Sequence, residues 1–203
     1  GRYAYQLLPQ TVRPLPIFLN AEPQSDSVPQ FGSRYWNLNF LAESGVVRFD
    51  GDSSVLLTGA LPDEGRYAWW SNRGDESVST LTRAFDLRGV AAATMQVRVR
   101  YEIESDYDYA YASVSRDGGA TWETLQGRTT TSDDPQGQNY GNGWTGVSGA
   151  PGVSPGGETR GVWIDEELNL NPYAGEEILI RFWMVADAAL NYPNLMIDNI
   201  RIP

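Results

Sequence analysis

The sequence contains no histidine, no cysteine and no lysine, so all fifteen of its basic residues are arginine. Without imidazole or thiol groups, the chain offers no ordinary zinc site and no Ser-His or Cys-His nucleophile pair. Without lysine it offers no Schiff base, and without cysteine no disulfide framework. The groups left for chemistry are carboxylates, hydroxyls, tyrosine, arginine and a hard cation held through oxygen.

Long apolar runs and excess positive charge are also missing. No stretch approaches the roughly 18 apolar residues that a membrane helix needs, so we expect no membrane insertion. The net charge of −11 argues against nucleic acid, because phosphates would be repelled. The sequence shows no signal peptide, and an exported protein would then carry its targeting segment in another part of a longer chain.

Aromatic residues and turn formers are abundant. Aromatics make up 12% of the sequence, which also holds 21 glycines and 12 prolines, a composition typical of short strands joined by many turns. Within 93–103, Met95, Val97 and Val99 alternate with polar residues, which predicts a strand with one buried face and one wet face. No segment has the pattern of a long helix. The sequence therefore predicts an all-β fold, a two-layer antiparallel β-sandwich of the jelly-roll type.

The chain divides by composition into an arm and a domain. Residues 1–30 hold five prolines and little periodicity, which predicts an extended Pro-rich arm or linker. Residues 31–203 are expected to form one sandwich domain. Within it, residues 127–160 are polar and glycine-rich, which is typical of a long loop that is functional or mobile.

One motif has a mechanical interpretation. Residues 115–122 fit the Asp-box pattern Ser-x-Asp-x-Gly-x-Thr-Trp, in which Asp117 accepts N–H groups inside a turn and Trp122 pins the hairpin to the core. Sialidase propellers contain several such boxes, away from their catalytic centres. The single copy here predicts a hairpin between strands 109–115 and 121–125 rather than a catalytic site.

Acidic residues are crowded around residue 105. If the strand continued without a bulge, Glu102, Glu104, Asp106 and Asp108 would line one of its sides. Two interpretations stay open: a solvated face balanced by arginines, or part of a Ca²⁺ site. Paired catalytic carboxylates of a stand-alone glycosidase are a third alternative, although no pair is singled out by the sequence.

Several aromatic residues flank turns and are candidates for stacking on sugar rings. They are Trp69, Trp70, Tyr140 and Trp144. Because neighbouring strand residues face opposite sides of a sheet, we expect at least one of Trp69 and Trp70 to pack in the core.

Three stretches, in this order, carry a family resemblance. They are residues 67–75 with 81–87, residues 106–111 running into the Asp box, and Leu195-Met196-Ile197-Asp198-Asn199-Ile200. Together they resemble the non-catalytic, MAM-like jelly-roll region of the immune inhibitor A family of secreted bacterial metallopeptidases. In that family, catalysis belongs to a separate zinc domain with a His-Glu-x-x-His helix, and this chain has no histidine.

The resemblance implies an accessory domain that binds calcium but no zinc. It is secreted or extracellular, with the cell surface as an alternative, and its partners are the protease domain of the same polypeptide, the protein substrate or a glycan. It also implies an acidic ligand at Asp198, in the last strand. The residues predicted to hold calcium are Asp75, Asp106, Asp108, Asp187 and Asp198. The alternative function is a carbohydrate-binding module of an extracellular enzyme or surface protein.

Overall fold

The computed structural model describes residues 56–202, together with 15–17, 35–38 and residue 51. The chain separates into two compact units, residues 1–53 and 54–203. In the first unit, strand β1 (Leu15–Ile17) pairs in parallel with β2 (Trp36–Leu38). The rest of the predicted arm lies outside the described residues.

The second unit contains nine strands among its described residues. They are β3 (Trp69–Trp70), β4 (Ser77–Asp86), β5 (Thr94–Ile103), β6 (Tyr109–Ser115), β7 (Glu123–Thr124), β8 (Gly146–Val147), β9 (Ile164–Asn169), β10 (Glu177–Ala186) and β11 (Asn194–Arg201). A 3-10 turn, Asn171–Tyr173, precedes β10. No helix in this part of the chain is long and apolar enough to cross a membrane.

Two antiparallel sheets pack as a sandwich, which confirms the predicted fold class. The first sheet has the strand order β4-β10-β6-β7. The second has the order β3-β11-β5, and both β8 and β9 pair with the far edge of β5. Strands β5 and β10 are therefore central, with a neighbour on each side, and their inward residues form the middle of the core.

The core follows the period-two patterns of the central strands. From β5, Met95, Val97 and Val99 are at most 2% exposed, and they face inward residues of β10 such as Ile180 and Met184. Burial of apolar area at roughly 25 cal/mol per Å² is the main stabilising contribution of such a core. The alternation read from the sequence thus places the correct face of β5 inside.

The other face of β5 differs from its prediction, because it is wet only in part. Arg100 and Glu102 are 1% and 3% exposed, and they form an ion pair with each other. Arg100 Nε donates to Gly161 O at 3.0 Å and Nη1 donates to Thr58 O at 3.2 Å. Segments that precede and follow β5 in the sequence therefore cover this face. The buried ion pair is tolerated because hydrogen bonds satisfy its charged groups.

The Asp box forms the predicted hairpin turn between β6 and β7. Asp117 Oδ1 accepts the N–H of Thr121 at 2.9 Å, and Oδ2 accepts the Thr121 hydroxyl at 2.6 Å. These hydrogen bonds, first that of the Thr121 side chain, hold the pKa of Asp117 well below its usual range. Gly118 and Gly119 both have positive φ, which a glycine adopts without strain.

The segment 127–160 is anchored to the sandwich at its middle. Trp144 exchanges two backbone hydrogen bonds with Ala110 of β6, and its indole is fully buried against Phe182, with ring centroids 6.5 Å apart. Trp144 Nε1 donates to Glu166 Oε2 at 3.1 Å. The segment also contributes β8, so part of what the sequence predicted to be a loop is sheet.

Candidate metal centre and aromatic surfaces

Three carboxylates meet at one end of the sandwich. Glu104 follows β5, Asp108 precedes β6 and Asp187 follows β10, and one oxygen of each lies within 4.8 Å of the others. Strands β6 and β10 are antiparallel neighbours with Tyr109 opposite Val185, so the start of one lies beside the end of the other. The pairing of the strands therefore brings Asp108 and Asp187 together from positions 79 residues apart.

A tight connection between the sheets adds Glu104 to this pair. The Asp108 N–H donates to Glu104 O at 3.2 Å, which closes a turn at the end of β5. Asp106, inside the turn, has φ +69° and donates its N–H to Thr145 Oγ1 at 3.0 Å. The turn folds Glu104 and Asp108 towards each other while Asp106 lies between them in sequence and outside the cluster.

Asp108 is the most deeply buried member of this acidic cluster. It is 0% exposed, and its Oδ1 accepts the N–H of Asp187 at 2.7 Å. Its Oδ2 is buried and has no hydrogen-bond partner within the described part of the chain. Burial raises the pKa of Asp108 to about 6. The hydrogen bond from Asp187 N–H lowers this pKa, and the negative charges of Asp187 and Asp75 raise it further.

The electrostatics of Glu104 have the same origin. Burial is the main reason that its pKa is raised, and the negative charges of Asp187, Asp108 and Asp75 raise it further. Asp75 accepts a hydrogen bond from Asn191 Nδ2 at 2.6 Å and is itself exposed. Three of the five predicted calcium ligands, Asp75, Asp108 and Asp187, thus lie in or beside one region of negative charge.

The structure places the other two predicted ligands, Asp106 and Asp198, outside this cluster. Asp198 accepts N–H groups from Glu64 at 3.2 Å and Asn199 at 2.8 Å, and it stands opposite Arg98 in the sheet. Asn194, at the start of β11, stands opposite Glu102, which is two residues before Glu104. Asp198 is four residues beyond Asn194, or about 13 Å further along the strand. Asp106 is separated from the cluster because the strand ends at Ile103 and a turn replaces the expected common face.

Glu104 was not among the predicted ligands, although it belongs to the acidic run that drew attention in the sequence. The assumption that β5 continues through residue 108 placed Glu102 and Glu104 on one face. In the structure Glu102 forms an ion pair with Arg100, so of these two glutamates only Glu104 belongs to the cluster. A turn signal at Ser105-Asp106 was the available clue, since serine and aspartate favour such positions.

The predicted aromatic residues separate into three environments. Trp69 is 59% exposed and lies with half-buried Trp70 along a groove of about 260 Å³ between the sheets; Trp70 Nε1 donates to Pro193 O at 2.7 Å. Tyr140 is 63% exposed and lies beside Trp183. Trp144 is 0% exposed and cannot stack on a ligand, which corrects its prediction, because its indole fills the core rather than the loop surface.

Two comparisons with known proteins match most of this chain. The chain is 28% identical over 146 residues to the pre-pro-metalloprotease PrtV of Vibrio cholerae serotype O1, strain M66-2, and equally to that of strain ATCC 39315 / El Tor Inaba N16961. The match covers 72% of this chain and 14% of each relative, so the chain spans a small part of their length. The family model of the immune inhibitor A-like MAM domain matches residues 42–203. This chain therefore belongs to the immune inhibitor A-like MAM domain family.

Proposed function

We propose that this chain is the non-catalytic accessory domain of a secreted bacterial metallopeptidase, where it supports the protease domain or binds its protein substrate, and that a bound Ca²⁺ stabilises it. The family match and the two metalloprotease relatives support the accessory role. The absence of histidine and cysteine from the sequence supports a domain without its own zinc centre.

The buried, unpartnered Oδ2 of Asp108 is the observation that carries the metal proposal. A buried acceptor without a hydrogen bond costs about 1–3 kcal/mol, and more when it is charged. Glu104 and Asp187 bring two further carboxylates within 4.8 Å, so the ionised cluster is repulsive by itself. A cation among the three side chains offsets both costs at once.

The donor set favours calcium over other common metals. All the side chains of the cluster offer oxygen, which suits Ca²⁺ and Mg²⁺ and does not suit the softer transition metals. Calcium accepts six to eight oxygens in irregular geometry, whereas magnesium demands a near-ideal octahedron and keeps several waters. Glu104, Asp108 and Asp187 would supply three of the ligands, and Asp75 would add to the attracting field.

A cation at this position would act on the fold rather than on a reaction. The three ligands come from the ends of β5, β6 and β10, which belong to two different sheets. Binding would therefore join the sheets at one end of the sandwich. The expected benefit follows RT ln(1 + [L]/Kd), which is about 2.7 kcal/mol when calcium is a hundredfold above Kd.

The test is thermal unfolding of the chain in EDTA and in millimolar CaCl₂. We expect calcium to raise the melting temperature of the parent chain by several degrees. Asp108→Asn keeps the shape of the side chain but removes the charge, and it should abolish the calcium response. Asp106→Asn is the matched control two residues away, and Asp198→Asn tests the position expected from the last strand; both should keep the response.

Equal melting temperatures in EDTA and CaCl₂ would refute the calcium site. A response lost in Asp198→Asn but kept in Asp108→Asn would instead place the site at Asp198, in the middle of β11. Isothermal titration with CaCl₂ separates direct binding from a general salt effect, since only the former shows a defined stoichiometry.

A further inference from the structure

The outer face of the first sheet presents an ordered row of side chains that points away from the core. In β10, Ile180, Phe182 and Met184 face inward, so Arg181 and Trp183 face outward. Trp183 stands opposite Thr80 of β4 on one side and Tyr111 of β6 on the other. This row of three residues crosses the sheet at the centre of its outer face.

An exposed tyrosine from the 127–160 segment completes the row. The rings of Tyr140 and Trp183 are 5.9 Å apart between centroids and within 15° of parallel, and Tyr111 lies 4.6 Å from Trp183. Tyr140 N–H donates to Tyr111 Oη at 3.0 Å, and Trp183 Nε1 donates to Ser113 Oγ at 2.9 Å. These hydrogen bonds hold the Trp183 indole and the backbone of Tyr140 in place, while the Tyr140 side chain remains 63% exposed.

Small polar side chains continue this surface along β4. Thr80 and Thr82 are both exposed, and Thr82 accepts a hydrogen bond from Arg181 Nε at 3.0 Å. The Arg181 guanidinium lies 3.8 Å above the Trp122 ring, and it pairs with no carboxylate among the described residues. From Val78 to Ala84 the open part of the face is about 20 Å long at roughly 3.3 Å per residue.

We propose that these residues form a binding site for a neutral oligosaccharide, with a pyranose ring stacked on Tyr140 and Trp183 and its hydroxyls bonded to Thr80, Thr82 and Arg181. We name this surface the aromatic platform. Rigid aromatic rings beside a few well-placed polar groups are typical of small-molecule sites. A sugar ring presents both matching chemistries, an apolar C–H face and a rim of hydroxyls.

The charge balance selects an uncharged ligand. The protein carries a net charge of −11, which repels nucleic acids, anionic polysaccharides and anionic lipid surfaces. Among the paired residues of β4 and β10 that face outward here, the one cationic side chain is Arg181. Its guanidinium already makes a cation–π contact with the Trp122 ring. A neutral chain of sugars needs no further positive groups, and the length of the face accommodates several rings.

The test is affinity electrophoresis of the chain in native gels cast with xylan, mixed-linkage β-glucan, galactomannan or glycogen, together with an array of neutral oligosaccharides. We expect binding to at least one of these probes. Tyr140→Ala should weaken that binding at least fivefold, because it removes the exposed ring of the stack. Tyr140→Phe keeps the ring and should retain most of the affinity.

Two further variants separate stacking from general effects. Tyr67→Ala removes a tyrosine that is 85% exposed and lies outside the platform, so it should leave affinity unchanged. Thr80→Arg places a long side chain over Trp183 from an exposed strand position, and it should abolish binding without loss of the fold. Melting temperatures of all variants show whether each remains folded.

The platform would be overturned by no binding to any probe, by equal affinity in Tyr140→Ala and the parent chain, or by the same loss in Tyr67→Ala. Capture of a protein partner in the absence of glycan binding would also overturn it. Repeating the measurement in EDTA keeps this proposal distinct from the calcium site. Binding that survives EDTA supports the platform whether or not calcium is bound.

Discussion

Glu166 projects from β9 into the protein and receives hydrogen bonds from the long glycine-rich segment. Its Oε1 accepts the N–H groups of Arg128 at 3.1 Å and Thr129 at 3.2 Å, and its Oε2 accepts Trp144 Nε1. Gly127 passes so close that a Cβ there would lie 2.1 Å from Glu166 Oε2. A single carboxylate thus determines both where the segment approaches the sandwich and why a glycine is needed there.

This carboxyl group makes stability depend on pH. Burial raises the pKa of Glu166 above its ordinary 4.5, and the three N–H donors oppose that shift. Over the interval from 4.5 up to the raised value, the folded protein therefore holds a proton that the unfolded chain has lost. Stability consequently falls as pH rises through this interval.

We expect Glu166→Gln to remove that part of the pH dependence. Urea unfolding at a series of pH values from 4 to 7, with CaCl₂ present throughout, measures the slope. The free energy of unfolding of the parent chain should fall more steeply over this range than that of the variant. Glu167→Gln, at the next, exposed position, is the control and should keep the parent slope; equal slopes in all three proteins would contradict the burial effect.

At the scale of elements, the segment 127–160 packs on the sandwich and is anchored there by the buried side chain of Trp144. The indole belongs to the same core cluster as the inward residues of β5 and β10. The segment then pairs β8 with the end of β5 and positions Tyr140 over the outer face of the other sheet. The anchoring of one side chain therefore supports features on both sheets.

Trp144→Ala should lower the free energy of unfolding by about 3–5 kcal/mol, the usual cost of removing a large buried aromatic side chain. Trp69→Ala removes the same side chain from a position that is 59% exposed, and we expect a loss of about 1 kcal/mol. Urea unfolding monitored by far-ultraviolet circular dichroism measures both. A similar loss in the two variants would show that the segment is not fastened by its tryptophan.

At the scale of the whole molecule, the chain is a β-sandwich domain of a family found in much longer proteins. The curated relatives are metalloproteases, and this chain corresponds to 14% of their length. Its own residues include no imidazole and no thiol. The proposed accessory role places any peptidase activity of a longer protein outside this chain.

The purified chain should show no hydrolysis of casein, either with or without added zinc. The physical reason is the lack of histidine ligands for a catalytic zinc and of an imidazole or thiol for nucleophilic catalysis. A known zinc metallopeptidase in parallel reactions is the positive control. Cleavage by the chain that a chelator blocks would contradict the accessory role.

The sequence by itself determined the features that depend on local pattern. The alternation of residues 95–101 identified β5 and its core face, because a strand places successive side chains on opposite sides. The Asp box identified the β6–β7 hairpin, since its hydrogen bonds close within a few residues. The order of three short stretches was enough to indicate the family that the comparison confirmed.

Only the tertiary structure decided which distant groups meet. Asp187 reaches Asp108 because β6 and β10 are neighbours in one sheet, and Glu104 joins them because β5 ends in a turn. Asp198 lies outside this acidic cluster because it is four residues beyond Asn194, the first residue of β11. Likewise, Trp144 is buried through partners more than 20 residues away, a consequence of strand order and register that no local pattern encodes.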